Sequence, residues 1–191
     1  MGLTAKRPTP TAMPEPDVTA RTGDCRQRPM TRWGTDRKYE RNQYGNMKIM
    51  VSACLLGENC KYDGGNNRNE ALLEMTAGHE VIPVCPEVLG GLPVPRVPAE
   101  IADGRVVNRE GQDVDGAFRR GAEKALEIAK REKPDLIILQ SRSPSCGVNE
   151  IYDGTFSGRK IPGRGIFAGM AVRAGYKVID VEDIHLRNEG I

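Results

Sequence analysis

Five cysteines, Cys25, Cys54, Cys60, Cys85 and Cys146, are the residues of this sequence best suited to soft-metal or sulfur chemistry. Spread over 191 residues, they are too sparse for a disulfide scaffold. Cys54, Cys85 and Cys146 each sit at, or just beyond, the end of a short apolar run. Three thiolates brought together suit a soft metal. A closed tetrahedral zinc site wants four ligands, often in short-spaced pairs, and no Cys-x-x-Cys exists here. The two histidines, His79 and His185, read as surface or strand-entry residues. An iron–sulfur cluster usually takes four cysteines, so three would leave one iron without a protein thiolate and open to chemistry. Beside this stands a plainer reading, in which the three are small buried residues of strands. Cys60, in the turn Gly57-Glu-Asn-Cys-Lys, reads as an incidental thiol, with a fourth-ligand or disulfide role left open. Cys25 reads as unrelated.

Distant thiols meet only if the fold carries them to one edge. Lys48–Cys54 is a short apolar run with the character of a buried strand. Asn66–Thr76 predicts a helix with Ala71, Leu72 and Met75 on one face and Gly78 as its stop. Glu80–Cys85 predicts a second strand, with Pro83 at an edge or bulge. Glu100–Asn108 predicts a hairpin about Asp103-Gly104. A long amphipathic helix follows, capped by Asp113 or Asp115 and running to about Lys133, with Ala117, Phe118, Gly121, Ala125, Ile128 and Ala129 as its apolar stripe. Beyond Pro134, Asp135–Gln140 is the strongest strand signal. Asp153-Gly154 suggests a second hairpin, Ile166–Ala174 a helix and Tyr176–Asp180 a last strand. The alternation predicts an α/β fold: a small three-layer, Rossmann-like parallel sheet with two hairpin insertions. Ligand sites in such sheets form beyond the C-terminal strand ends, where the three cysteines fall.

Composition divides the chain. Residues 1–46 hold nine Lys or Arg against five Asp or Glu, a net +4, and five of the 13 prolines. The remaining 145 residues hold 19 against 21, a net −2. The first segment has too little apolar surface to offset its ordering entropy, and reads as a disordered basic extension. Trp33 and Tyr39 could anchor part of it; its five acids argue against a targeting peptide. The folded domain is expected over residues 47–191. No run approaches the roughly 20 apolar residues of a membrane span, and no secretory h-region is present, so a cytoplasmic setting is expected.

The residues around the three thiols bear a family likeness. Val51-Ser-Ala-Cys-Leu-Leu-Gly57 with Lys61-Tyr-Asp-Gly64 is one segment. Cys85-Pro-Glu87, Gly90-Gly-Leu-Pro-Val-Pro-Arg96 and Pro98-Ala-Glu100 form a second, and Ser141-Arg-Ser-Pro-Ser-Cys-Gly147 a third. In this order, from about Met47 to Val181, they resemble a bacterial family, long catalogued as a domain of unknown function, that includes thiouracil desulfidase. The resemblance implies that Cys54, Cys85 and Cys146 hold a 4Fe-4S cluster whose fourth iron is open. It implies a non-redox hydrolytic desulfidase in which the substrate's sulfur binds that iron, water attacks the ring carbon, and carbonyl replaces thiocarbonyl. It places the catalytic carboxylate at Glu87 and a contributing serine at Ser143. The substrate would be a small thiolated base such as 2-thiouracil, and cluster-assembly machinery would supply the cofactor.

The same residues have plainer readings. Glu87 serves as a strand-end carboxylate capping a loop, and Ser143 as a turn-stabilising Ser-Pro. Ser52 and Ser145 are placed to donate to cluster sulfurs. Arg96 and Glu100 are expected to pair with each other or to shape the pocket. Gly163–Gly169 opens a helix and could approach an anion, without forming a true dinucleotide fingerprint. Arg119-Arg120 and Lys130-Arg131 read as a solvated helix face. Two other functions stay open. One is sulfur insertion into a tRNA nucleoside, against which the acidic core argues because nucleic acid wants a basic surface. The other is a nonenzymatic metal-binding or thiol-sensing module.

Overall fold

The structure, a computed structural model, describes residues 45–186. The extension read as disordered, with Cys25, Trp33 and Tyr39, lies outside the described residues apart from Gly45 and Asn46.

Four parallel strands form the central sheet: β1 (Lys48–Ser52), β2 (Glu80–Val84), β5 (Leu136–Leu139) and β8 (Val178–Asp180), in the order β2-β1-β5-β8. The register pairs Met50 with Ile82 on one side and with Ile137 on the other. Alternation along the strands sorts side chains to two faces. Met50, Ile137 and Leu139 pack with Val84 against α3 (Asp115–Glu132) and α4 (Ile166–Arg173), through Ala122, Ala125, Ala129, Phe167 and Ala171. Ile49, Val51 and Ile138 pack on the opposite face with Leu72 of α1 (Glu70–Thr76) and Ile184 of α5 (Glu182–Leu186). The expected three layers are therefore present. Small residues line the inner side of α3, which lets it lie close to the sheet and to α4. Among the described residues, no helix is long and apolar enough to cross a membrane.

Two hairpins stand outside the sheet. β3 (Ala99–Ala102) and β4 (Arg105–Asn108) join through Asp103 and Gly104, both at positive φ (48° and 77°), as an Asp-Gly turn of type I′ requires. β6 (Glu150–Tyr152) and β7 (Lys160–Pro162) also pair antiparallel. Their connection is the loop 153–159 rather than a tight turn at Asp153-Gly154. Asp153 instead shapes the loop, its Oδ1 accepting the amide and hydroxyl of Thr155 (3.0 and 2.6 Å).

Some expected boundaries move. α1 begins at Glu70 because the Asn69 side chain accepts the Leu72 N–H at 2.9 Å and caps it. Its buried face is Leu72 and Thr76, with Met75 exposed. Val114 is the N-cap of α3 and Asp115 lies in its first turn, while the Asp113 Oδ1, one residue before the cap, accepts the Asp115 N–H at 2.9 Å. Pro83 sits in the edge strand β2, where a missing N–H leaves no gap in the sheet. His79 proves a strand-entry residue, its Nδ1 accepting the Met47 N–H at 3.2 Å.

Candidate active site

Strand order reverses between β1 and β5, since the chain leaves β1 outward to β2 and later extends the other way to β8. Beyond the C-terminal ends of these strands, at such a reversal, loops part and leave a crevice. Here the crevice is a cavity of about 500 Å³ lined by Cys54, Cys60, Cys85 and Cys146 together with Glu87, Arg96 and Ser143.

Each thiol has its own device. After β1 the chain turns through a short 3-10 segment, Ala53–Leu56, closed by Gly57 at φ 100°. The Cys54 carbonyl accepts from Gly57 N–H (3.3 Å) and Asn67 N–H (2.9 Å). The intervening loop thus folds back over Cys54 and buries Cys60. Cys85 is the N-cap of α2 (Pro86–Leu89), with Pro86 suited to the first helical position. α2 crosses α3 at backbone contact: a Cβ on Gly121 would lie 1.9 Å from the Pro86 carbonyl oxygen. Only glycine allows that approach, which fixes Cys85 and Glu87 at the cavity.

Cys146 lies in the loop after β5. The Ser143 Oγ accepts the amides of Ser145 (3.1 Å) and Cys146 (3.2 Å). The same loop caps α4: Pro144 O accepts Ile166 N–H (2.8 Å), and Ser145 O accepts Phe167 and Ala168 N–H (2.9 and 3.2 Å). The Gly165, Ile166, Phe167 and Ala168 amides, within the stretch offered above for an anion, are therefore taken up in holding the Cys146 loop. That corrects the anion reading, because a helix N-terminus binds an anion only through free N–H groups.

Glu87 occupies the centre of the polar wall. Its Oε2 accepts Arg96 Nε at 2.7 Å and pairs with Arg96 Nη2 at 2.6 Å; its Oε1 accepts Ser143 Oγ–H at 3.3 Å. Arg96 was expected to meet Glu100 or line the pocket, and the structure corrects the pairing. The Arg96 amide donates to Tyr62 O (2.7 Å) and Nη2 to Cys60 O (3.0 Å), which turns the side chain back over the Cys60 loop toward α2. Ser143 thus braces the turn, as its plainer reading has it, and its hydroxyl also faces Glu87. Ser52 Oγ accepts the Gln140 N–H at 3.0 Å.

The thiols influence one another. Contact with the Cys54 thiol and burial push the Cys60 pKa up to about 11, against an opposing pull from Cys85. Contact with Cys60, then burial, raises Cys85 strongly; burial raises Cys146, with Ser52 acting against it. Cys60 is no bystander in position, since it touches both Cys54 and Cys85. The sequence held no periodic signal for that, because the 57–69 loop returns by hydrogen bonds. It also gave no signal for Arg109, Tyr152 and Phe156, which complete the wall.

Residues 49–183 match the family model described as 2-thiouracil desulfurase. The chain belongs to the 2-thiouracil desulfurase family. YbbK of Bacillus subtilis (strain 168), an uncharacterized protein, is 39% identical over 147 residues, covering 72% of this chain and 97% of YbbK. Among solved structures, the [4Fe-4S]-dependent thiouracil desulfidase TudS matches with a TM-score of 0.68 at 37% identity, over 76% of this chain and all of TudS. The part of the chain that matches the 2-thiouracil desulfurase family contains all of the sheet but Lys48, both hairpins and the whole cavity wall.

Proposed function

We propose that this chain is a cluster-dependent desulfidase that replaces sulfur by oxygen in a small thiolated base such as 2-thiouracil. One observation carries the reading: four cysteines, the three proposed ligands and Cys60, line a single cavity at the sheet's C-terminal edge with the Glu87–Ser143 pair.

The donor set fits a 4Fe-4S cluster. Cys54, Cys85 and Cys146 line the cavity together with Cys60, and thiols are the donors that iron–sulfur clusters take. Among the described residues the Ser145 hydroxyl, next to Cys146, is buried without a hydrogen-bond partner but does not line the cavity, whereas Ser52 and Ser143 do. Cys54, Cys85 and Cys146 would hold the cluster. When bound with three thiolates, such a cluster supplies an iron that acts as a soft Lewis acid for sulfur.

The protein's own groups then handle water and protons. Arg96 holds one oxygen of Glu87, leaving Oε1 toward Ser143 to receive a proton from water. Ser143 orients that oxygen while its backbone contacts keep Cys146 in place. The overall change is a hydrolysis: water provides the carbonyl oxygen, sulfur leaves as sulfide, and the carbon keeps its oxidation state. No electron donor is required.

Anaerobic reconstitution with iron and sulfide, iron counting and a 2-thiouracil assay test this. The expected result is a cluster-loaded chain that turns over 2-thiouracil, with Glu87→Gln slower by ~10²–10⁴-fold at unchanged iron content. Retained colour in the triple Cys54→Ser, Cys85→Ser, Cys146→Ser variant would sink the cluster assignment. Unchanged turnover in Glu87→Gln would refute the assigned base.

A further inference from the structure

We propose that Phe156 is the platform against which the planar ring of the substrate stacks, and that Glu100 is the residue positioning it. The inference rests on the desulfidase reading and adds to it the part of the wall that recognises the ring rather than its sulfur.

Phe156 lines the same cavity as the thiols, from the loop between β6 and β7. Its φ is 57°, in the left-handed region that a bulky residue seldom adopts. Such backbone persists only where the surroundings impose it. They do so here. Glu100 is 8% exposed, and its Oε2 accepts the amides of Gly154 and Phe156, each at 3.0 Å. Among the described residues no Lys or Arg forms an ion pair with it. Burying a carboxylate without a counter-charge is costly, and two backbone donors offset that cost. The arrangement serves to seat one loop on the β3–β4 hairpin and to hold one aromatic ring at the cavity.

The contact is close. Gly154 lies against the hairpin so tightly that a Cβ there would come within 2.7 Å of the Ala102 Cβ. Just beyond β4, the Arg109 guanidinium lies over one face of the Phe156 ring, 5.8 Å from its centroid, so the substrate would stack on the other face. A thiolated pyrimidine is flat and polarisable, and a fixed aromatic ring binds such a ligand through its π-face whatever its exocyclic atoms. Thiols, Glu87 and Ser143 then meet the reacting carbon and sulfur, while Phe156 meets the ring.

The test uses the cluster-loaded full chain, titrated calorimetrically with uracil and assayed with 2-thiouracil. Phe156→Leu is expected to raise the uracil Kd ~10-fold, and the 2-thiouracil KM by a similar factor, with a much smaller change in kcat. Phe156→Tyr, which keeps the ring, is expected to stay within ~2-fold. Glu100→Ala should reproduce the KM rise of Phe156→Leu, and Glu100→Gln, which retains an acceptor, should reverse most of it. An unchanged uracil Kd in Phe156→Leu, or a fall confined to kcat, would overturn the platform. An inactive wild type would overturn the desulfidase reading alone, since the uracil titration still decides the platform.

Discussion

Arg96 grips Glu87 with two nitrogens on one oxygen, the two side chains being 7% and 14% exposed. It also holds the carbonyls of Cys60 (3.0 Å) and Pro93 (3.2 Å). Removing one partner from a buried pair strands the other charge and costs about 3 kcal/mol or more. An exposed pair such as Arg105–Asp113 contributes at most about 1 kcal/mol. Arg96→Met should therefore lower both the denaturation midpoint and kcat, the latter ~10–100-fold, with iron content kept. Arg96→Lys restores charge without the fork and should recover only part of kcat. Wild-type kcat in Arg96→Met would show that Glu87 needs no positioning. Cys60 calls for a different measurement, because its thiol touches two proposed ligands. Iron per chain should fall several-fold with serine at Cys54, Cys85 or Cys146 and stay near wild type in Cys60→Ser; an equal loss would bring Cys60 into the ligand set. At this scale the sequence exposed the thiols, Glu87 and Ser143 because they lie within short contiguous segments. It hid the Arg96 partner and the Cys60 position because both depend on loops that double back.

Elements that carry an apolar run or a helical stripe were legible and those without one of their own were not, for a physical reason. β1 and β5 are apolar runs and α3 shows a stripe, whereas the 3-10 turn at Cys54 merely continues the run of β1, the four-residue α2 is too short for a stripe, and α5 follows β8 with only Val181 between. Yet α2 and the turn are the elements that aim two of the thiols. Gly121 was read as part of an apolar stripe; the structure shows a contact at which two backbones touch. A methyl group there meets the Pro86 carbonyl at 1.9 Å, and backbone cannot step aside as a flexible side chain can. Gly121→Ala should therefore push α2 off α3, destabilise the fold by about 2 kcal/mol or more, and displace Cys85 and Glu87. Gly116 in the same helix is the control. A Cβ there meets only the tip of Arg120 at 3.3 Å, so Gly116→Ala should be neutral or stabilise by up to about 1 kcal/mol. Urea denaturation of both variants checks the pair. Similar midpoints would mean that the α2–α3 crossing has slack and that Cys85 does not depend on it.

The whole molecule works by bringing distant segments to one edge. Cys54, Cys85 and Cys146 follow three adjacent strands, β1, β2 and β5, so a parallel sheet delivers to one cavity residues 31 and 61 positions apart in sequence. That much was legible, because strands alternating with helices imply parallel pairing and a common C-terminal edge. The loop geometry that turns an edge into a cavity was not. β1 is central to this design, with β2 on one side and β5 on the other, so where the folded unit starts becomes a question about β1. Met47 is already engaged, its carbonyl accepting Glu80 N–H at 2.9 Å and its amide donating to His79. Lys48 follows, its N–H donating to the Asp135 carboxylate and its carbonyl accepting the Asp135 N–H, each at 2.8 Å. A chain begun at Met47 retains every one of these bonds, and should keep its melting temperature within ~2 °C together with full cluster loading and turnover. A chain begun at Val51 loses most of the central strand, including the fully buried Met50, and should not fold. Loss of folding in the first would assign residues 1–46 a structural role; folding in the second would remove β1 from its place as the strand on which the site is built.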